Sequence, residues 1–156
     1  MIYLTYEDLL IEADENNLIT KEKPLRAYDG RIKGRRIAIR KDLATSTEKK
    51  CVLAEELGHY YTSVGDILNL SDKNNCKQEA LARSWAYRKV ITLDGIIDAY
   101  ENGCSNKYEL AEHLNVTEKF LLNGISELER KHGYRVIIDN YMIQFSPLVV
   151  YRFFNE

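Results

Sequence analysis

The chain has 156 residues, 45% hydrophobic and 29% charged, the profile of a globular domain with room for one compact core or a core with a small appendage. Lys and Arg number 22 against 24 Asp and Glu, so a net charge of -2 argues against nucleic acid or a membrane surface as a partner. Cys51, Cys76 and Cys104 are odd in number and form no C-x-x-C pair, which argues against a disulfide framework and for a reduced, cytoplasmic setting.

Cys51 and Cys76 fall in apolar stretches, where a cysteine acts as a small hydrophobe. Glu7 and Asp8 interrupt the start of the chain, so no secretory leader is expected. No apolar run approaches the roughly 18 residues that span a bilayer.

TYEDLLIEADENN predicts a first helix with Thr5 as N-cap and Leu9, Leu10 and Ala13 on its core side. Pro24 follows in a loop. AYDGRIKGRRIAIRKDL predicts a strand pair punctuated by Gly30 and Gly34, with Ile37 and Ile39 alternating against Arg36, Ala38 and Arg40. Thr45 and Glu48 have capping-box spacing and open a helix that Thr62, Ser63 and Gly65 close.

A helix capped by Asn74 or Asn75 runs through Trp85 to about Ile91, and LDGIIDAYENG predicts another ending at Gly103. From Cys104 the character changes. Two helices meet at a sharp turn at Asn115–Val116, then a β-hairpin turns at Asp139–Asn140 and a terminal strand follows. A soft boundary at Asn102 to Asn106 divides residues 1–103 from a helical and β-hairpin extension over 104–156.

Chemistry concentrates in CVLAEELGHYYTS, residues 51 to 63. A zinc-peptidase helix carries H-E-x-x-H, two ligands four apart on one face and a Glu that activates water. Here Glu56 and His59 have that order, and Glu55 stands where the first His belongs. An isolated E-E-x-x-H is common on solvated helix faces, so spacing alone leaves an ordinary amphipathic helix as the better reading. Gly58 costs an exposed helix ~1 kcal/mol against Ala, and a close approach by another element would account for it.

C-V-L-A-E-E-L-G-H resembles the active helix of the ImmA/IrrE family of metallopeptidases, usually A-H-E-L-G-H. The next helix matches as well. The family's E-x-x-A-N-x-F-A is represented by Glu79, Ala82, Arg83, Trp85 and Ala86. R-I-A-I-R-K-D-L resembles the family's edge strand, and the likeness covers about residues 25 to 92. It implies an α+β, zincin-like fold: a small twisted sheet on helices, here with a helix-turn-helix-like and β-hairpin extension. It also implies a phage or mobile-element setting, in which relatives act on a helix-turn-helix repressor.

Carried over residue by residue, the resemblance makes His59 and Glu79 metal ligands and Glu56 the general base. Glu55 takes the remaining ligand position and departs from the family pattern. A Glu has about the reach of a His, and carboxylates ligate zinc. Two carboxylate ligands beside Glu56 nevertheless weaken the ion's Lewis acidity and favour Mn²⁺ or Fe²⁺ relative to a His-rich shell. Without an ion the same cluster repels itself and pushes a carboxylate pKa upward.

The charge is uneven: GRIKGRRIAIRK, residues 30 to 41, is strongly basic. It could bind nucleic acid or an acidic partner, or be a solvated sheet edge. The favoured expectation is that Arg36, Ile37, Ala38, Ile39 and Arg40 bind substrate by strand pairing, their arginines selecting acidic side chains. ELAEHLNVTEKFLLNGISEL has helix-turn-helix character, but Glu118, Glu127 and Glu129 suit phosphate contact poorly, so a packing or protein-binding unit is the better reading. His113 and His132 lack partners at ligand spacing and read as surface or cap residues. Tyr60, Tyr61 and Trp85 read as packing residues.

The sequence therefore predicts a cytoplasmic metallo-endopeptidase using Zn²⁺, with Mn²⁺ or Fe²⁺ as alternatives, on a protein substrate such as a phage-type repressor. The competing readings are a catalytically impaired zincin-like protein acting by contact, and a DNA-binding regulator using residues 107 to 130.

Overall fold

The computed structural model describes residues 3–63 and 72–154 of the chain. The first helix, α1 (Tyr6–Glu15), is fixed by a reciprocal cap. The Asp8 N–H donates to Thr5 Oγ1 at 3.1 Å, and the Thr5 N–H donates to the Asp8 carboxylate at 2.8 Å. Two amides that a helix start leaves unpaired are thereby satisfied. Leu9 and Ala13 are buried and Leu10 is half-buried, as the periodicity predicts.

Three strands follow: β1 (Ile19–Lys23), β2 (Gly30–Lys33) and β3 (Arg36–Arg40). The sequence signals only the last two, which pair antiparallel around Gly34 at φ +60. ITKEK has no alternating apolar pattern; it becomes a strand because β3 offers it a parallel ladder. The sheet order is β1-β3-β2.

This order corrects the expectation for Arg36 to Arg40. β3 is the central strand, with backbone groups engaged on both sides, so it cannot pair with a substrate as an edge strand does. Ile37 and Ile39 are buried against the helices, and Arg40 is held by Asp29 and Asp42. Arg36 and Ala38 lie on the opposite face.

Helix α2 (Ser46–Thr62) begins at Thr45, whose Oγ1 accepts the Glu48 N–H at 3.1 Å. The Glu48 carboxylate reaches the Ala44 N–H instead of Thr45, so the capping box is only half closed. Ser63 is the C-cap; Gly65 lies outside the described residues. Helix α3 (Asp72–Val90) starts ahead of Asn74 and Asn75, which belong to its first turn rather than capping it.

α4 (Leu93–Glu101) is capped by Thr92 and ends before Gly103 at φ +84. α5 (Lys107–Leu114) and α6 (Glu118–His132) join through Asn115, a left-handed residue at φ 54. β4 (Arg135–Ile138), β5 (Tyr141–Phe145) and β6 (Leu148–Arg152) form an antiparallel sheet in that order. Ile138 pairs with Tyr141, leaving Asp139–Asn140 as the two-residue turn.

The core runs unbroken from Tyr6 through α2, α3 and α4 to α5, α6 and Phe145, crossing Asn102 to Asn106 without interruption. Lys50, fully buried, ties the parts together: its Nζ donates to the carbonyls of Leu114 at 2.9 Å and Asn115 at 3.0 Å. These are terminal carbonyls that α5 leaves without a helical partner.

Cys51 is buried, but Cys76 is exposed, contrary to its apolar context. Among the described residues no helix is long and apolar enough to cross a membrane.

Candidate active site

Val52, Glu55, Glu56 and His59 recur at three- and four-residue steps, so α2 shows them on one face. That face forms the floor of a cleft of about 500 Å³. Glu79 and Arg83 on α3, residues Tyr28 to Gly30 leading into β2, and Thr117, Lys119 and Asn123 at the start of α6 complete its walls.

Two glycines set the spacing. A Cβ on Gly58 would collide with the Ala82 carbonyl oxygen, so α2 and α3 cross with backbone against backbone. This is the close approach that a mid-helix glycine implies. A Cβ on Gly30 would strike Val52 and approach Glu56 Oε1 at 3.1 Å, so β2 also lies directly on α2.

The close crossing brings His59 Nε2 to 3.1 Å from Glu79 Oε1, across 20 residues of chain. The second Glu79 oxygen is 3.9 Å from Arg83. Glu56 is buried beside β2, where the Ile32 backbone amide opposes part of the rise in its pKa. Burial first, then the charges of Glu55 and Glu79, push its pKa up to about 8. Glu55 is raised by burial above all; Arg83 and Lys119 oppose the rise and Glu79 adds to it. The self-repulsion read from the sequence is present, but desolvation is the larger cause at both carboxylates.

The donor set suits a divalent cation in kind: one imidazole, and carboxylates facing the same cleft. His59 and Glu79 already converge. Glu55 lies along the same wall without meeting them, and among the described residues no three His, Cys, Asp or Glu side chains come together closely enough to hold an ion.

The remaining candidates separate from this cleft. Tyr61 stacks on Trp85 at 4.8 Å between ring centroids, and its hydroxyl donates to Glu12 Oε1 at 3.1 Å, so both rings pack as expected. His113 has a partner that sequence spacing hides, Asp98 at 2.8 Å on the neighbouring helix. His132 stacks on Phe145. A larger apolar cavity of about 810 Å³ lies between α4, α5 and the β5–β6 turn, away from the carboxylates.

Tyr28, Tyr87, Thr117, Lys119 and Asn123 border the cleft and went unnoticed in the sequence. They come from three separate stretches, and no local spacing links them to Glu56. The start of α6, the part of a recognition helix that would enter a DNA groove, here forms a wall of the cleft.

No curated protein and no solved structure matches the chain. The model for the IrrE N-terminal-like domain (Peptidase_M78) matches residues 7–126, well beyond the span of the sequence likeness, and the chain belongs to this metallopeptidase family of the ImmA/IrrE type.

Proposed function

We propose that the protein is a metal-dependent endopeptidase whose ion is held by His59, Glu79 and Glu55, with Glu56 as general base. The observation that carries this reading is the 3.1 Å approach of His59 to Glu79 over a cleft that Glu55 and Glu56 also face. A bound divalent cation supplies polarisation of the scissile carbonyl and a lower pKa for the attacking water.

The chain's own groups do the rest. Glu56 takes the proton from water on its carboxylate and returns it to the leaving amine. Gly58 and Gly30 keep α3 and β2 close enough for these groups to act on one peptide bond. With β3 occupied on both sides, the strand for substrate pairing is β2, whose outer edge is free in the sheet order and whose start borders the cleft. An extended segment of a protein would add there by main-chain hydrogen bonds. A cytoplasmic repressor of phage or mobile-element type is the substrate that the family resemblance favours.

The test has two parts. Metal content of protein purified without chelator is expected to be near stoichiometric and to fall in His59→Ala and Glu79→Ala. Cleavage of an unstructured protein or candidate repressor is expected in the wild type and lost by about two orders of magnitude or more in Glu56→Gln, which keeps its metal.

One observation favours a second reading, a zincin-like binding protein without turnover: Glu55 does not converge on His59 and Glu79. Protein that binds no zinc or manganese and captures a partner intact would select it.

A further inference from the structure

The pleat of the β1-β3-β2 sheet sorts its charges. Lys21 and Lys23 on β1, Arg31 and Lys33 on β2, and Arg36 on β3 share the face turned away from α1 and α2, and all five are exposed. Glu22, the acid of β1, points the other way and meets Lys49 at 2.9 Å and the Tyr6 hydroxyl at 3.3 Å. The inner face is completed by Ile37 and Ile39.

The register fixes the layout. One cross-strand row reads Lys21, Ala38, Arg31, and the next reads Ile19, Arg36, Lys33. The small side chain of Ala38 lies between two long cations and leaves a shallow cavity of about 340 Å³, with Ile19 and Leu25 adding apolar wall. Among the described residues none of the five cations forms an ion pair. Asp29, which precedes β2 at the far end of this face, is engaged by Arg40 at 3.3 Å. Tyr28 is 58% exposed beside the row, with the Arg31 guanidinium 5.8 Å from its ring centroid.

We propose that this face binds the sugar-phosphate backbone of single-stranded nucleic acid. The whole-chain charge conceals such a site because the acids are spent elsewhere. The face holds unpaired positive charges that repel one another until an anion lies among them. Alternate residues on a strand stand roughly 6.6 Å apart, close to one nucleotide step of an extended strand. The floor is one alanine wide, which suits a single strand rather than a duplex needing a groove-filling helix. An exposed ring beside an arginine offers the stacking surface that unpaired bases use and an acidic peptide does not. None of the five cations lines the acidic cleft; Tyr28 borders both the cleft and this face.

The experiment is fluorescence anisotropy of a labelled oligothymidylate titrated with the full chain at several salt concentrations. Binding is expected at low salt, with log K falling linearly in log salt by about 0.7 per phosphate neutralised. The double variant Lys21→Glu/Arg31→Glu should bind about tenfold or more weakly with a shallower slope. Tyr28→Ala should weaken binding with the slope retained, and Lys131→Glu, away from this sheet, should change nothing. Circular dichroism melts that match the wild type exclude misfolding of the variants.

No anisotropy change at low salt overturns the proposal, as does wild-type affinity in the double variant. Displacement of the oligonucleotide by polyglutamate at equal charge concentration also overturns it, assigning the face to acidic proteins instead.

Discussion

A glycine inside a helix is a cost that a residue-level reading registers before it can explain it. Gly58 should be destabilising by ~1 kcal/mol relative to Ala on propensity alone. The Ala82 carbonyl occupies the space where a Cβ would stand, and that carbonyl belongs to the helix bearing Glu79. Propensity favours Gly58→Ala by ~1 kcal/mol, whereas forcing an atom into a packed backbone contact costs 1–3 kcal/mol or more. The clash wins, because neither backbone can rotate away as a side chain would. Gly58→Ala is therefore expected to lower the unfolding free energy and to reduce metal affinity as His59 and Glu79 part. Denaturant unfolding and metal titration check both; an unchanged metal affinity would refute the link. His59, Glu79 and Glu56 were readable because helical spacing and two linked motifs mark them. Lys119 and Asn123 were not, since their nearness to Glu55 arises only when α6 docks on α3, and Tyr87 comes near only because α3 crosses α2.

Among elements, the decisive contact is a buried lysine at the join of α2 and α5. Lys50 is pulled down to about 8 by burial, which the charges of Cys51 and Asp8 only partly oppose. A lysine lowered in the folded state loses its proton there before the unfolded chain does. Between about pH 8 and the ordinary lysine value near 10.5 the unfolded chain holds more protons, so this group's contribution makes stability rise with pH. Below pH 8 both states are protonated and its slope vanishes.

Lys50→Met removes the titration and leaves two carbonyls without a donor, at roughly 1–3 kcal/mol each. Chemical denaturation of both proteins from pH 7 upward should show the wild type gaining stability above about pH 8 and the variant lacking that gain. Parallel pH profiles would show that Lys50 is not the titrating group. The position of β3 belongs to the same scale. Its alternating Ile37 and Ile39 mark it as a strand, but an edge and a central strand can carry the same pattern. The polar β1 that makes it central has no strand signal of its own.

At the scale of the whole molecule, the core continues through the segment where the sequence changes character. Phe120 packs edge-on against Tyr87 at 4.9 Å, and a Cβ on Gly124 would strike Ile91, so α6 sits directly on α3. The chain is expected to unfold in one transition, with Trp85 fluorescence and far-ultraviolet circular dichroism coincident. A fragment of residues 1–103 should lose cooperative unfolding, because the apolar faces of α3 and α4 lose their cover and Lys50 its acceptors. Two separate transitions, or a cooperative fragment, would make the C-terminal part an independent appendage.

The sequence by itself determined the Thr5 and Thr45 caps and the order of Glu55, Glu56 and His59, since each depends on residues within a few turns of one another, and its two linked motifs marked the family and with it the α+β class. The tertiary structure alone decided which strand is central, which residues of α6 wall the cleft, and which cations collect on one sheet face. Those properties depend on pairings between distant segments, and a local pattern of apolar and polar residues carries no record of its partner.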